Sequence, residues 1–243
     1  SKGFHGVGCA FSAALTAEIA KGKNVVAATK LANEFVRDAL ANALKIGKGI
    51  SVLGFELIMP SNNLLAALQK VVYMIEDTDG FGTLIPESQT NIVYAEAGTR
   101  SVGDIAGVKG RIVKIGKSAK AANGVSFGAS KHVASAVLAI MHHDKSIRSA
   151  INIKYDEKII AICKDLGLKV SSYDRRNEPE EVKSKEGMSV KWGIDQAVSK
   201  INAVPDIIYH LGGWGKEPMI LVFGKNPSEV CMRVIAILHK YKI

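Results

Sequence analysis

The feature of this sequence that most restricts its fold is the alternation of short apolar runs and amphipathic segments after residue 63. Short apolar or alternating runs predict strands, while apolar residues spaced three and four apart predict helices. Strands and helices that alternate along a chain favour a mixed β-sheet flanked by helices, so we predict an α/β fold. The predicted strands are 90–95, 111–115, 168–172, 205–209 and 219–223, and the predicted helices are 64–75, 131–142, 157–166, 194–201 and 228–240.

The first 50 residues have a different hydrophobic pattern, which predicts two helices and no strand. The first covers residues 10–20, and the second follows a capping residue, Asn24, and ends at Gly47. Two amphipathic helices of this size cannot bury their apolar faces on each other alone. Glycines and a proline between residues 47 and 62 mark a boundary. We therefore predict a helical segment at 1–50, a linker at 51–62 and the main domain at 63–243.

The charge balance predicts anionic partners, because 32 lysines and arginines face 23 acidic residues, for a net charge of +9. The lysines are scattered, and the sequence shows no zinc-finger spacing, RNA-binding aromatic box or readable helix-turn-helix. Phosphorylated small molecules are therefore favoured, and no nucleic-acid partner is expected. No apolar run approaches the roughly 20 residues of a bilayer span, and no signal peptide is visible. We expect no membrane partner and a cytoplasmic location.

A first polar segment, residues 126–132, leads into a predicted helix. Ser130 is a plausible N-cap, and Gly128 allows the backbone to approach a ligand closely. Free N–H groups at the helix start, together with Lys131 and His132, would bind an anion. The alternative is a capped helix with two solvated polar residues.

A second polar segment, residues 173–179, follows a predicted strand, and such loops hold ligands in open α/β sheets. Arg175 and Arg176 carry planar guanidinium groups that suit phosphate. If the chain stays extended, their side chains point to opposite faces. One arginine would then meet phosphate, while the other pairs with Asp174 or Glu178. The alternative is a pair of solvated arginines beside acids.

A third polar segment, residues 209–218, has three glycines among four residues, which gives the backbone freedom to wrap a ligand. Trp214 offers a flat face, Lys216 a point charge, and His210 a group that can hold a proton near neutral pH. The alternative is a glycine-rich hairpin with a packed tryptophan. The residues of this segment that we assign to ligand binding are Gly212, Gly213, Trp214, Lys216 and Glu217.

Asn91, in a polar run before a predicted strand, is a weaker candidate. Its amide could recognise the edge of a heterocycle, since it carries both a donor and an acceptor. It could equally cap or close a turn. His-x₃-His and Cys-x₂-Cys spacings are absent from the sequence, so a structural zinc site is not expected.

Taken together, residues 86–94, 127–137, 174–179 and 212–219 resemble the archaeal-type thiamine-phosphate synthase domain, over about residues 63–243. The first 50 residues resemble the C-terminal end of a hydroxymethylpyrimidine kinase of ribokinase-like fold. Gly6, Gly8 and Cys9 match the anion-hole turn of that kinase, with Cys9 at its catalytic position. The central sheet of the kinase is missing, so the segment is interpreted as a remnant of a bifunctional enzyme without kinase activity.

The resemblance implies a transferase that joins hydroxymethylpyrimidine pyrophosphate to hydroxyethylthiazole phosphate, giving thiamine phosphate and pyrophosphate, with Mg²⁺ assisting. The resemblance is also compatible with a homodimer. Arg175, Arg176 and His210 take the catalytic roles in this interpretation. Asn91, Gly128, Ser130, Lys131, His132, Glu178 and the residues of the third segment would bind substrate and phosphate.

Two other functions remain open. The same domain type also resembles the thiamine-phosphate-sensing half of certain repressors, which would bind without catalysis. Such repressors carry a helix-turn-helix ahead of the domain, where this chain has a kinase-like segment. A nucleic-acid binder, suggested by net charge alone, would associate with DNA or RNA in a salt-sensitive manner.

Overall fold

The structure of the chain is a computed structural model that describes residues 4–41, 43, 50–53, 60–183 and 188–242. The chain divides into two compact units, Ser1–Met59 and Pro60–Ile243. The predicted α/β class, a mixed sheet flanked by helices, is confirmed. The predicted helix end at Gly47 and residues 54–59 of the predicted linker lie outside the described residues.

The first unit contains two helices, α1 (Val7–Ala20) and α2 (Val25–Ala41). Asn24 caps α2 as predicted, because its side-chain oxygen accepts a hydrogen bond of 2.9 Å from the Ala27 N–H. Two short strands, β1 (Phe4–His5) and β2 (Ser51–Val52), pair in parallel, although the sequence predicted no strand here. No residue of α1 is buried in the described part of the chain.

The second unit is built on a seven-stranded sheet of order β7-β4-β3-β8-β11-β10-β9. All neighbouring strands are antiparallel except β9 and β10, which are parallel. The strands are β3 (Ile92–Tyr94), β4 (Ala106–Val108), β7 (Val125–Phe127), β8 (Ser149–Lys154), β9 (Val170–Ser172), β10 (Ile207–His210) and β11 (Met219–Gly224). A separate hairpin joins β5 (Ile112–Ile115) and β6 (Ser118–Ala121). The helices are α3 (Pro60–Asp77), α4 (Lys131–His143), α5 (Glu157–Asp165), α6 (Glu180–Lys183), α7 (Met188–Ile201) and α8 (Pro227–Tyr241).

Helices cover both faces of the main sheet and form two hydrophobic cores. Residues of α3, α5 and α8 pack on one face, and residues of α4 and α7 pack on the other. Successive side chains of a strand point to opposite faces, so Ile207 joins the first core and Ile208 the second. His210 follows Ile208 by two positions and therefore lies on the α4 and α7 face.

The main errors of the sequence prediction concern strands. Residues 111–115 form part of the separate hairpin instead of the main sheet, and β4, β6, β7 and β8 were not predicted. β8 is the central strand, yet it contains buried Ser149 and Asn152. The Ser149 hydroxyl donates to the Val93 carbonyl at 2.7 Å, and the Asn152 side-chain oxygen accepts from the Asn91 N–H at 2.7 Å. These hydrogen bonds satisfy the two buried polar side chains. In the sequence, the same two polar residues interrupt the apolar pattern, so no strand was predicted there.

Across the described residues, no helix combines the length and the apolar character that crossing a bilayer requires.

Candidate active site

Of the three polar segments singled out in the sequence, the first begins on β7, the edge strand farthest from β9. The other two, residues 173–179 and 209–218, meet at one end of the main sheet, where the Arg175 Cβ lies 3.7 Å from the place of a Cβ on Gly213. β9 and β10 run parallel and both end there, and His210 at the end of β10 pairs with Met219 at the start of β11. Residues 173–179 and 211–218 follow these two strand ends directly. The first turn of α4 packs on the same face of the sheet as Tyr173 and Ile208, and the positive charges of Arg175 and Lys216 act on its His132. The chain thus brings the predicted cationic groups into one region.

His210 is buried, with 4% of its surface exposed, and its protonation is set by its neighbours. Its Nδ1 accepts a hydrogen bond of 3.1 Å from the Gly212 N–H, so the neutral ring carries its proton on Nε2. Its ring packs against Tyr173 with 5.2 Å between ring centroids. Burial and the positive charge of Arg175 lower the pKa of His210 to about 3. At neutral pH, His210 is therefore a neutral hydrogen-bond donor.

The two adjacent arginines have different environments. The side chains of Arg175 and Glu178 are 9% and 3% exposed, and they form an ion pair of 3.3 Å. The Arg176 side chain is 84% exposed and pairs with Asp174 at 2.6 Å. The predicted division of work, with one arginine paired to an acid and the other left for phosphate, differs from the structure, because both arginines have an acidic partner. The chain does not stay extended as assumed, because Asp174 accepts from the Arg176 N–H and residues 175–177 form a 3₁₀ turn.

Glu178 has one carboxylate oxygen, Oε1, that is buried without a hydrogen-bond partner. Its other oxygen accepts from Arg175. A buried carboxylate with a single charged partner depends strongly on that partner, because an unpaired charge is costly to bury. Glu178 therefore fixes the position of Arg175, and it is not directed toward phosphate as the sequence suggested.

Tyr173 contributes to the site although the sequence analysis did not select it. Its ring stands so close to α7 that a Cβ atom on Gly193 would lie 2.4 Å from it. Burial raises the pKa of the Tyr173 hydroxyl to about 12, while the neighbouring Arg175 opposes this shift. The signal in the sequence is weak, because Gly193 directly precedes the predicted helix 194–201 and only the structure places it inside α7.

His132, in the first turn of α4, lies among positive charges. The crowding of protein atoms and the charges of Arg175, Lys216 and Arg111 lower its pKa to about 4. Because His132 is exposed to water, the repulsion between a protonated ring and the three positive charges accounts for the lowered pKa better than burial does. In the described part of the chain, no carboxylate forms an ion pair with Lys216 or Arg111. This region therefore has a positive potential that suits an anion.

The start of α4 differs in detail from the prediction. Ser130 occupies the N-cap position as predicted, but its side chain makes no capping hydrogen bond. Gly128 adopts a positive φ of 69°, where the chain turns from β7 toward the helix. The Ser130 Cβ lies 3.3 Å from the place where a Cβ on Gly107 would stand, so the helix start lies against β4. Lys131 is exposed.

The loop between β10 and β11 is a tight turn tied to a distant segment. The backbones of Gly213 and Lys216 exchange hydrogen bonds of 3.0 and 2.9 Å, and Trp214 at the tip is fully exposed. The alternative of a packed tryptophan is therefore wrong. Both carboxylate oxygens of Glu217 accept backbone N–H groups, from Glu87 at 2.7 Å and from Ser88 at 3.0 Å. Glu217 thus holds two loops together, which contradicts its assignment to substrate binding.

Asn91 also has a structural role. Its side-chain oxygen accepts from the Val108 N–H at 2.9 Å, and its amide nitrogen donates to the Val108 carbonyl at 2.8 Å. The side chain therefore pairs with β4 as another strand residue would. This pairing contradicts the prediction that the amide recognises a heterocycle.

Gly6, Gly8 and Cys9 belong to the first unit and lie at the start of α1. Gly6 has a φ of 92° immediately before the helix, and Cys9 is exposed. This is the turn that the sequence analysis compared with an anion hole.

Two surface depressions, of about 390 and 380 Å³, lie outside the predicted site. Neither is lined by a residue that the sequence analysis assigned to binding or catalysis. The first is lined by Asn63, Leu64, Ala67, Tyr94, Glu96, Ala97 and Arg148, and the second by Tyr155, Glu157, Ile160, Ala161, Lys164, Asp165 and Tyr209.

The acidic residues of the site do not fit a resident divalent cation. Within the described ranges, no group of three or more His, Cys, Asp or Glu side chains converges as a metal site would require. Glu217 uses both oxygens for backbone N–H groups, Asp174 pairs with Arg176, and Glu178 pairs with Arg175. Mg²⁺ needs free oxygen ligands, and these residues supply at most the one buried Glu178 oxygen.

The depressed pKa of His210 predicts a loss of stability in acid. Its pKa lies at about 3 in the folded chain against an ordinary 6.5, so the unfolded chain binds the extra proton. The free energy of unfolding should therefore fall as the pH drops below 6.5, by about 1.4 kcal/mol per pH unit from this group. Urea unfolding across this range measures the slope, and His210→Gln should flatten it.

His239→Gln, at an exposed position near the end of α8, is the matched control. If His210→Gln and His239→Gln change the slope equally, the assignment of a buried neutral His210 is wrong.

Comparison with known proteins gives the following similarities. A family described as Thiamine-phosphate synthase ThiN matches residues 67–236, and one described as Phosphomethylpyrimidine kinase matches residues 1–53. Over 186 residues, 76% of this chain, the sequence is 45% identical to thiamine-phosphate synthase ThiN of Methanothermobacter thermautotrophicus and covers 96% of it. Over 99% of this chain it is 36% identical to the bifunctional thiamine biosynthesis protein ThiDN of Methanocaldococcus jannaschii, and it spans 55% of that protein.

A solved structure supports the fold of the second unit. The crystal structure of a C-terminal domain of phosphomethylpyrimidine kinase is 51% identical in sequence and gives a TM-score of 0.69. The match covers 72% of this chain and 98% of that chain.

Proposed function

Because the chain belongs to the thiamine-phosphate synthase ThiN family, we propose that it condenses hydroxymethylpyrimidine pyrophosphate with hydroxyethylthiazole phosphate. The products are thiamine phosphate and pyrophosphate. The observation that carries the proposal is that cationic side chains lie along the loop that follows the buried His210: Arg175 packs against Gly213, and Arg111 is linked through Ser88 to Glu217, next to Lys216. Such a cluster suits substrates that carry several negative charges.

The reaction needs charge stabilisation more than proton transfer. The bond between the pyrimidine methylene carbon and the diphosphate oxygen breaks, and its electron pair leaves with pyrophosphate. The thiazole nitrogen gives its lone pair to the same carbon, so no proton must be removed from the nucleophile. Negative charge grows on the leaving group, and preorganised donors that hold it lower the barrier.

Arg175 is the residue best prepared for this task. Its guanidinium is held by Glu178 and lies beside the Tyr173 hydroxyl, so few of its rotamers remain. A buried, oriented guanidinium stabilises phosphate charge without reorganising during the reaction. Arg176 lies on the exposed side of the same turn, and a catalytic role for it stays a prediction.

His210 and the glycine loop would complete the anion site. The Nδ1 of His210 already accepts from Gly212, so its Nε2–H is the group that remains to donate to a phosphate oxygen. Because His210 is neutral at working pH, it offers a hydrogen bond without a charge that would hold the product. Lys216 adds a point charge, and the backbone N–H groups at the start of α4 face the same region.

Mg²⁺, implied by the family resemblance, does not fit a cage of protein ligands here. A cation that arrives on the substrate diphosphate is compatible with this site, because the phosphate oxygens then supply most of its ligands. None of the roles assigned above depends on it. A cytoplasmic location and a homodimer likewise stay predictions.

Turnover with both substrates tests the proposal, with thiamine phosphate measured by chromatography. His210→Ala should lower kcat by about 100-fold, the typical effect of removing one preorganised donor. His142→Ala, which alters an exposed histidine near the end of α4, is the control and should leave kcat unchanged.

A wild-type rate in both Arg176→Ala and His210→Ala would contradict the assignment of catalysis to these residues. Tight binding of thiamine phosphate by the wild-type chain without turnover would favour the sensing function instead. The similarity of residues 1–53 to a kinase, and not to a DNA-binding module, supports the enzyme.

A further inference from the structure

Arg111 has a strained backbone conformation. Its φ is +83°, in the left-handed region that residues with a Cβ rarely adopt. Only two other non-glycine residues in the described part of the chain, Gln89 and Asn202, share a positive φ. Backbone strain of this kind costs free energy and collects at functional sites, where the surrounding structure maintains it.

Two successive hydrogen bonds link the Arg111 side chain to the loop between β10 and β11. Its Nη1 donates to the Ser88 carbonyl at 2.7 Å. The Ser88 N–H in turn donates to the Glu217 carboxylate at 3.0 Å, and Glu217 directly follows Lys216 in the chain. This succession of hydrogen bonds places the guanidinium beside the same loop that carries Lys216.

The Ser88 carbonyl uses one of the five N–H donors of the guanidinium. Across the described ranges, no carboxylate forms an ion pair with Arg111, whereas Arg175 and Arg176 each have one. Arg111 is also exposed, so a ligand can reach it. Its positive charge contributes to the lowered pKa of His132, in agreement with the position that the hydrogen bonds to Ser88 and Glu217 give it.

We propose that Arg111 binds a phosphate group of one of the two substrates, beside the loop that carries Lys216. This inference rests on the proposed synthase function. The two candidate groups are the diphosphate of the pyrimidine and the monophosphate of the thiazole, which share the same chemistry toward a guanidinium. The strained backbone aims the side chain, and the Glu217–Ser88 link fixes it before substrate arrives.

Steady-state kinetics with each substrate varied in turn tests the role. Arg111→Gly and Arg111→Asn both tolerate the left-handed conformation and remove the charge. Each should raise the KM for one substrate by about 10- to 100-fold, the usual effect of losing a charge-assisted hydrogen bond. Arg111→Lys should recover part of this loss. Lys109→Ala, at an exposed position two residues earlier, is the matched control and should change neither KM.

The substrate whose KM rises identifies the phosphate that Arg111 holds. Unchanged KM values for both substrates in Arg111→Gly and Arg111→Asn would overturn the proposal. Thermal unfolding adds a second readout, because relief of strain should keep the Tm of Arg111→Gly at or above the wild-type value. A fall in Tm together with unchanged KM values would show that Arg111 serves the fold alone.

If the wild-type chain does not turn over, the synthase function fails separately. Calorimetry with inorganic pyrophosphate and with inorganic phosphate then tests directly whether Arg111 contributes to anion binding. Weaker binding of either anion by Arg111→Gly than by Lys109→Ala would support an anion-binding role. Equal binding of both anions by these two variants would overturn it.

Discussion

Replacing Arg175 with methionine is expected to lower the free energy of unfolding by about 3–5 kcal/mol, because it leaves a buried carboxylate without its charged partner. That carboxylate belongs to Glu178, whose side chain is 3% exposed and whose second oxygen already lacks a hydrogen bond. Methionine keeps most of the side-chain volume, so the loss reports on charge and hydrogen bonding instead of on a cavity. Urea unfolding at neutral pH measures it.

Arg176→Met is the matched control, since it alters the same residue type one position later. The Arg176 pair with Asp174 is largely exposed, and exposed ion pairs contribute about 0–1 kcal/mol. The double variant Arg175→Met/Glu178→Gln should recover much of the stability, because it removes the unpaired charge. It should not recover turnover, because the phosphate-binding guanidinium is still missing. Equal destabilisation by the two single variants would contradict this account of the pair.

Gly212→Ala is expected to lower kcat/KM by at least about 100-fold, because the glycine loop cannot keep its shape with a side chain at this position. Gly212 has a φ of 82°, and a Cβ atom there would lie 2.3 Å from the Lys216 carbonyl oxygen. The backbone must move to relieve that contact. Since the Gly212 N–H is the donor to His210 Nδ1, the movement also removes the bond that fixes the histidine tautomer.

Gly215→Ala separates this effect from simple backbone strain. Gly215 also has a positive φ, of 64°, but nothing lies within 4 Å of a Cβ placed there. That variant should lose about 1–2 kcal/mol of stability from the left-handed conformation and retain most of its activity. Steady-state kinetics and thermal unfolding of both variants distinguish the two causes. Comparable kcat/KM losses in the two variants would show that the contact at Gly212 is not responsible.

Elements with strong local signals could be predicted from the sequence. The start of α8 is one case, because Asn-Pro-Ser-Glu at 226–229 is typical of a capped helix start, and in the structure the Asn226 side chain accepts from the Glu229 N–H at 2.9 Å. The segments around Arg175 and His210 could be selected because polar residues and glycines directly follow apolar strands. Local spacing contains this information because caps and strand ends involve residues close in sequence.

The roles of individual polar residues could not be predicted in the same way. Asn91 and Glu217 looked like ligand-binding residues, but each satisfies backbone groups that lie far away in sequence. Tyr173 and Arg111 were overlooked because their contacts are distant in sequence. Tyr173 packs against Gly193, and Arg111 donates to the Ser88 carbonyl. Only the packing of separate elements reveals such partners.

The amino-acid sequence alone determined the α/β class, most helices, and the three polar segments that follow strands or open a helix. These follow from hydrophobic periodicity and capping, which act over a few residues. The tertiary structure alone decided that Ser149–Lys154 forms the central strand, that Arg175 is buried while Arg176 faces solvent, and that Arg111 bonds to the distant Ser88. Burial and long-range hydrogen bonding set these outcomes, and both depend on contacts that form only when the whole sheet is assembled.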